Sequence, residues 1–151
     1  VRKNGLELAQ KTGANTGVVE LVALFHDSCR VNEDTDHGHG SRGADFAQQC
    51  FNDGLLTCSL DDLKLLKVAC QQHTGGTYAA NVTVATCWDA DRLDLPRVFI
   101  KVNPQLLCTQ YAKDPVMIEA ANQRVQRWLS KRDNHHYNNA DNWSVSKPRK
   151  V

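Results

Sequence analysis

The sequence predicts an all-α fold, one compact helical domain of about six or seven helices. Apolar residues recur at helical spacing along most of the chain. Pro, Gly, Ser and Asn fall where helices would start and stop. With 151 residues, 41% of them hydrophobic, the chain can bury a core of its own.

Leu6, Leu8 and Ala9 mark a short first helix that stops near Thr12-Gly13. Thr16-Gly17 opens a second, apolar nearly all round from Val18 to Phe25, as befits a buried central helix. It ends on His26-Asp27. Arg30 to Gly40 is polar and reads as a loop. A third helix covers Ser41 to Phe51 and is ended by Asn52-Asp53-Gly54. Ser59-Leu60-Asp61-Asp62 resembles a capping box and starts a fourth, which runs to His73 and is broken by Gly75-Gly76. Val82 to Leu93 fits a further buried helix, although Val82-Thr83-Val84 also reads as a strand. Asn103-Pro104 caps a short helix through Tyr111. Asp114-Pro115 caps the last, with Val125, Trp128 and Leu129 on its core side. From Lys131 the pattern collapses, so the expected division is a helical domain over 1–130 and a polar tail over 131–151.

Lys plus Arg is 18 and Asp plus Glu is 17, a net charge of +1. That balance gives no strong nucleic-acid signal but leaves room for a local basic pocket. No apolar run is long enough to cross a membrane. The six cysteines, at 29, 50, 58, 70, 87 and 108, contain no C-x-x-C pair and read as buried free thiols of a cytoplasmic protein.

Two motifs carry chemistry. His26-Asp27 closes a buried helix, where both groups need a partner. A divalent ion would serve both, and so would ordinary hydrogen bonds. Trp88-Asp89-Ala90-Asp91-Arg92-Leu93-Asp94 sets three acids and an Arg in an apolar segment, either as ligands or as a surface face with an Arg–Asp pair.

Together these residues resemble the HD-domain superfamily of metal-dependent phosphohydrolases, over about residues 4 to 112. Its signature is a His, a later His-Asp doublet and a distant Asp on a following helix. The resemblance implies that His26, Asp27 and Asp91 are metal ligands, with Asp89 as the fallback for Asp91. The string His39-Gly40-Ser41-Arg42-Gly43-Ala44 is similar to a stretch of such hydrolases, which makes His39 a further candidate ligand ahead of His37. Glu33 and Asp34 resemble an acidic pair that follows the doublet in one branch, where an acid orients or deprotonates the attacking water. Arg30, Arg42 and Arg92 are candidate phosphate clamps, and His73 is a candidate substrate contact. The signature's first His has no counterpart ahead of His26, so the chain is expected to start just after it.

The implied activity is phosphohydrolysis of a small phosphorylated metabolite or nucleotide with a divalent ion, whether Mn, Mg, Fe, Ni, Co or Zn. The alternative is a non-catalytic ligand-sensing or interaction domain of the same fold. An oligomer is open in either case.

Overall fold

Residues 1–32 and 35–140 are described by the structure, a computed structural model, with side chains as far as Arg132. Among the described residues there are seven α-helices and no strand: α1 (Arg2–Thr12), α2 (Thr16–Phe25), α3 (His39–Asn52), α4 (Leu60–Gln72), α5 (Val82–Arg92), α6 (Gln110–Lys113) and α7 (Pro115–Ala140). Two 3-10 turns, Leu95–Val98 and Pro104–Leu106, lie between α5 and α6.

Local chemistry sets most of the helix ends. Gly13, at φ 75°, closes α1 and returns its amide to the Ala9 carbonyl at 2.9 Å. Asn15 caps α2 by accepting from the Val18 amide at 3.2 Å, and Ser59 caps α4 by accepting from the Asp62 amide at 3.0 Å. Asp62 does not fold back in the reciprocal half of a capping box. Its carboxylate accepts from Asn15 Nδ2 at 2.8 Å and ties the start of α4 to the start of α2. Asn81 accepts from the amides of Thr83 and Val84, at 2.9 and 3.3 Å. That cap, with the burial of Thr83 and Val84, makes Val82-Thr83-Val84 helical in spite of its β-branched residues.

The main core lies between α1, α2, α3, α4 and α5. Val18, Val22, Phe25, Ala44, Ala47, Leu66, Ala69, Val84 and Trp88 fill it. The Trp88 indole donates to the Ala69 carbonyl at 3.0 Å, so its one polar atom is satisfied. Helix α5 is buried along nearly its whole length, against α1, α2 and α4. A second apolar cluster of Leu8, Leu93, Val102, Leu107, Ala112, Met117 and Ala121 seats α6 and the start of α7 on the other side of α1 and α5. No helix among the described residues is long and apolar enough to cross a membrane.

Five sequence expectations need correction. The six cysteines are free thiols, but only Cys70 and Cys87 are buried, while Cys29, Cys50, Cys58 and Cys108 are half-buried near helix ends and loops. Asn103 to Tyr111 is not one helix but a 3-10 turn followed, after a break, by the short α6. Pro104 permits the first turn, and Thr109 starts a new helix by capping the Ala112 amide at 3.2 Å. The last helix does not stop before Lys131 but continues to Ala140, because a run with neither Pro nor Gly from Lys131 to Ala140 leaves every backbone amide able to extend the helix. Trp128 is 46% exposed rather than core, with the Arg132 guanidinium 5.1 Å from its ring centroid. Leu24 is 67% exposed, so α2 is buried on one face and not all round.

Candidate metal centre

The ends of α2, α3 and α4 and the last turn of α5 meet at one place. His26 is the residue that closes α2, and His73 closes α4. His39 is the first residue of α3, and Asp91 lies near the end of α5. All three histidines are buried.

Each imidazole is held the same way. Nδ1 of His26 donates to the Val22 carbonyl at 2.8 Å, Nδ1 of His39 to the Asp36 carbonyl at 2.6 Å, and Nδ1 of His73 to the Cys70 carbonyl at 2.7 Å. A carbonyl oxygen can only accept, so the proton sits on Nδ1 in all three rings. In its neutral form each ring therefore turns an Nε2 lone pair inward.

Those lone pairs converge on carboxylates. Asp27 Oδ1 is 3.2 Å from His39 Nε2 and 3.6 Å from His73 Nε2, and Asp27 Oδ2 is 3.6 Å from His26 Nε2. Asp91 Oδ1 is 3.5 Å from His26 Nε2. His39 Nε2 and His73 Nε2 are only 2.9 Å apart. Two neutral rings with Nδ1 protonated oppose lone pairs at that distance, an arrangement that a shared proton or a metal ion would relieve. Asp27, His39 and His73 together form a group that could hold a metal ion, with one donor atom each and all within 4.8 Å of one another.

The charges agree with that geometry. The His73 ring beside Asp27, with the charges of His26, His73 and Arg30, holds its carboxyl well below the usual range against the opposing effect of burial. Burial alone would depress His26, but its hydrogen bond with Asp91, the charges of Asp91 and Asp27 and the Val22 carbonyl carry it above the ordinary 6.5. Burial would likewise raise Asp91, and the hydrogen bond and charge of His26 together with the charge of His73 bring it below its ordinary value.

Two glycines let the helices come close enough. A Cβ on Gly40 would lie 2.2 Å from the Cys70 carbonyl oxygen and 3.0 Å from His73 Nδ1. A Cβ on Gly43 would lie 2.3 Å from the Phe25 carbonyl oxygen. Ala44 is wholly buried beside them. The string from His39 to Ala44 thus presents one candidate ligand and the small residues that press α3 onto the ends of α2 and α4.

The remaining candidates fall in different places. His26, Asp27, Asp91 and His39 come together, and His73, read from the sequence as a substrate contact, joins Asp27 and His39. Its position before Thr74-Gly75-Gly76 was the only sequence signal for it. Arg30 borders the cluster, with Nη1 3.3 Å from Asp27 Oδ1 and 3.5 Å from His39 Nε2. Arg42 instead pairs with both oxygens of Asp36, at 2.7 and 2.6 Å, and donates to the Cys29 carbonyl at 3.1 Å. It thereby braces the loop that supplies the acceptor for His39. His37 is exposed. Glu33 and Asp34 lie outside the described residues.

Asp89 is no substitute for Asp91. It is fully buried and accepts from the amides of Cys108 and Thr109 at 2.6 and 2.8 Å, fixing the start of α6. Arg92 pairs with neither acid through a hydrogen bond. Its guanidinium donates to the Gly76 carbonyl, to the Leu106 carbonyl at 3.0 Å and to the His73 carbonyl at 3.5 Å, and so pins the chain just after α4 to α5.

No protein-family model, curated protein or solved structure matches the chain.

Proposed function

We propose that this chain is a divalent-metal-dependent phosphohydrolase acting on a small phosphorylated metabolite or nucleotide. The observation that carries the reading is the set of three Nδ1-anchored imidazoles turned onto Asp27 and Asp91, with two Nε2 atoms 2.9 Å apart. A donor set of neutral nitrogens and ionised oxygens fits a divalent first-row transition ion better than Mg, which prefers oxygen donors alone. Asp27, His39 and His73 would hold it, with His26 and Asp91 completing the cluster. When bound, such an ion supplies Lewis acidity towards phosphoryl oxygens and lets water ionise near neutral pH.

The chain's own residues have separate tasks in this reading. Arg30 stands at the edge of the cluster, where a guanidinium suits phosphate oxygens. The Val22, Asp36 and Cys70 carbonyls fix the rings in one tautomer and one orientation. For Glu33 and Asp34 the resemblance, in which the acidic pair is shifted along the chain, implies a role in positioning the attacking water.

The first test is elemental analysis of the chain purified without chelator, followed by a panel of phosphorylated small molecules. The expected result is about one divalent ion per chain and chelator-sensitive phosphate release. Asp91→Ala is expected to abolish that release while leaving the circular dichroism spectrum unchanged. Unchanged turnover in Asp91→Ala, or release insensitive to chelator, overturns the reading. A sensing domain of the same fold would bind metal and ligand and release no phosphate.

A further inference from the structure

A second feature shares no residue with the metal cluster. Between the start of α1, the 3-10 turn at Leu95–Val98 and the middle of α7 lies a cavity of about 430 Å³. Five cationic side chains line it, Lys3, Arg97, Arg124, Arg127 and Lys131, against the single acid Asp94. The whole chain has a net charge of only +1, so this wall concentrates charge that the sequence elsewhere balances.

The pairing within the wall is incomplete. Arg97 Nε lies 3.2 Å from Asp94, and Arg124 Nη1 lies 2.7 Å from Glu7. Arg124 Nε donates to Asn4 Oδ1 at 3.0 Å, but its Nη2 is buried with no hydrogen-bond partner. Among the described residues, Lys3, Arg127 and Lys131 have no carboxylate within ion-pair distance. Cationic groups gathered on one wall repel one another, and a counter-charge seated in the cavity would offset that repulsion. Trp128 adds an aromatic edge to the same wall.

We infer that this cavity is a binding site for an oligophosphate group, either free or carried by a nucleotide. Guanidinium and ammonium groups arranged around a concave wall suit a multiply charged anion more than a single carboxylate. A volume near 430 Å³ exceeds what one phosphate fills and lies in the range of small-molecule sites. The inference does not depend on the metal cluster or on hydrolysis.

The test is isothermal titration of the 151-residue chain with inorganic tripolyphosphate, and separately with adenosine triphosphate, in buffer containing chelator. Saturable binding of about one equivalent is expected in at least one arm. Equal affinity in the two arms identifies the free oligophosphate as sufficient, and tighter binding of the nucleotide adds the Trp128 wall to the site. Arg127 and Lys131 are exposed, so Arg127→Glu with Lys131→Glu should leave the fold intact and weaken binding about tenfold or more. Lys64→Glu with Lys67→Glu, on α4, makes the same charge change away from the cavity and should alter affinity by less than about twofold. Absence of binding in both arms, or equal weakening by the two double variants, overturns the inference.

Discussion

Asp89 accepts from two backbone amides, while Asp91, two residues on, faces His26. The two acids should therefore respond differently to the same substitution. Asp89→Ala orphans the amides of Cys108 and Thr109 and is expected to cost about 2–4 kcal/mol in denaturant unfolding. Its metal content, measured on the folded fraction, should stay unchanged. Asp91→Ala should show the reverse, lost metal with a smaller loss of stability. The cysteines give a second check. Burial pushes the Cys70 and Cys87 thiols up to about 12, so neither forms thiolate near neutral pH. Iodoacetamide on the native chain should leave these two unmodified, and the unfolded chain should take up label at all six positions by mass spectrometry. The pH dependence of the metal-free chain follows from His26, whose affinity for a proton is raised on folding. Its contribution to stability is fully present below pH 6.5 and is lost as pH rises through the raised value. Asp27 and Asp91 are lowered, so their contribution is present above pH 3.8 and is lost as pH falls through their folded values. Melts of the metal-free chain should show a lower Tm at pH 9 than at pH 6 from this cluster. Added metal should reverse the trend, because it competes with protons for the same nitrogens.

Helix α3 reaches its position through Gly40 and Gly43. Gly40→Ala places a methyl group against the Cys70 carbonyl, the acceptor that orients His73. It is expected to cost about 1–3 kcal/mol and to weaken metal binding as well. Gly75→Ala meets nothing within 4 Å and should stay within about 0.5 kcal/mol of the parent. Equal effects of the two substitutions would remove the packing account of the string from His39 to Ala44. The elements themselves were largely legible in the sequence, because their caps are local. Gly13, Asn52-Asp53-Gly54, Ser59 and Asp114-Pro115 each mark a boundary through chemistry contained within a few residues. The breaks between Asn103 and Tyr111 were not legible, since they depend on Asp89 drawing the Cys108 and Thr109 amides from twenty residues away or nearly so. The end of α7 is illegible for the opposite reason. A helix without an apolar stripe has no periodic signal to read.

The candidate site as a whole shows the same division. His26-Asp27 and Asp91 could be picked out because the doublet and the acid string are contiguous in sequence. His73 could not be ranked with them, because its relation to His39 is made only when α3 packs on α4. The structure brings residues from positions 27, 39 and 73 into one candidate group, so a bound ion would stabilise the native fold over the unfolded chain. At a hundredfold excess of free metal over Kd the gain is about 2.7 kcal/mol, read as a rise in Tm that chelator removes. A chelator-insensitive melt of a metal-treated sample would count against the centre. The placement of its histidines has one more consequence. His26 and His73 each cap the C-terminal end of a helix, one residue past its last, and His39 is the first residue of another, where helical hydrogen bonds open most readily. An ion held there would act as a clasp on three fraying ends. Amide hydrogen exchange in the final turns of α2 and α4 should therefore slow on metal addition far more than exchange in the buried middle of α5, so that the cluster sets the local dynamics of the helix ends that build it.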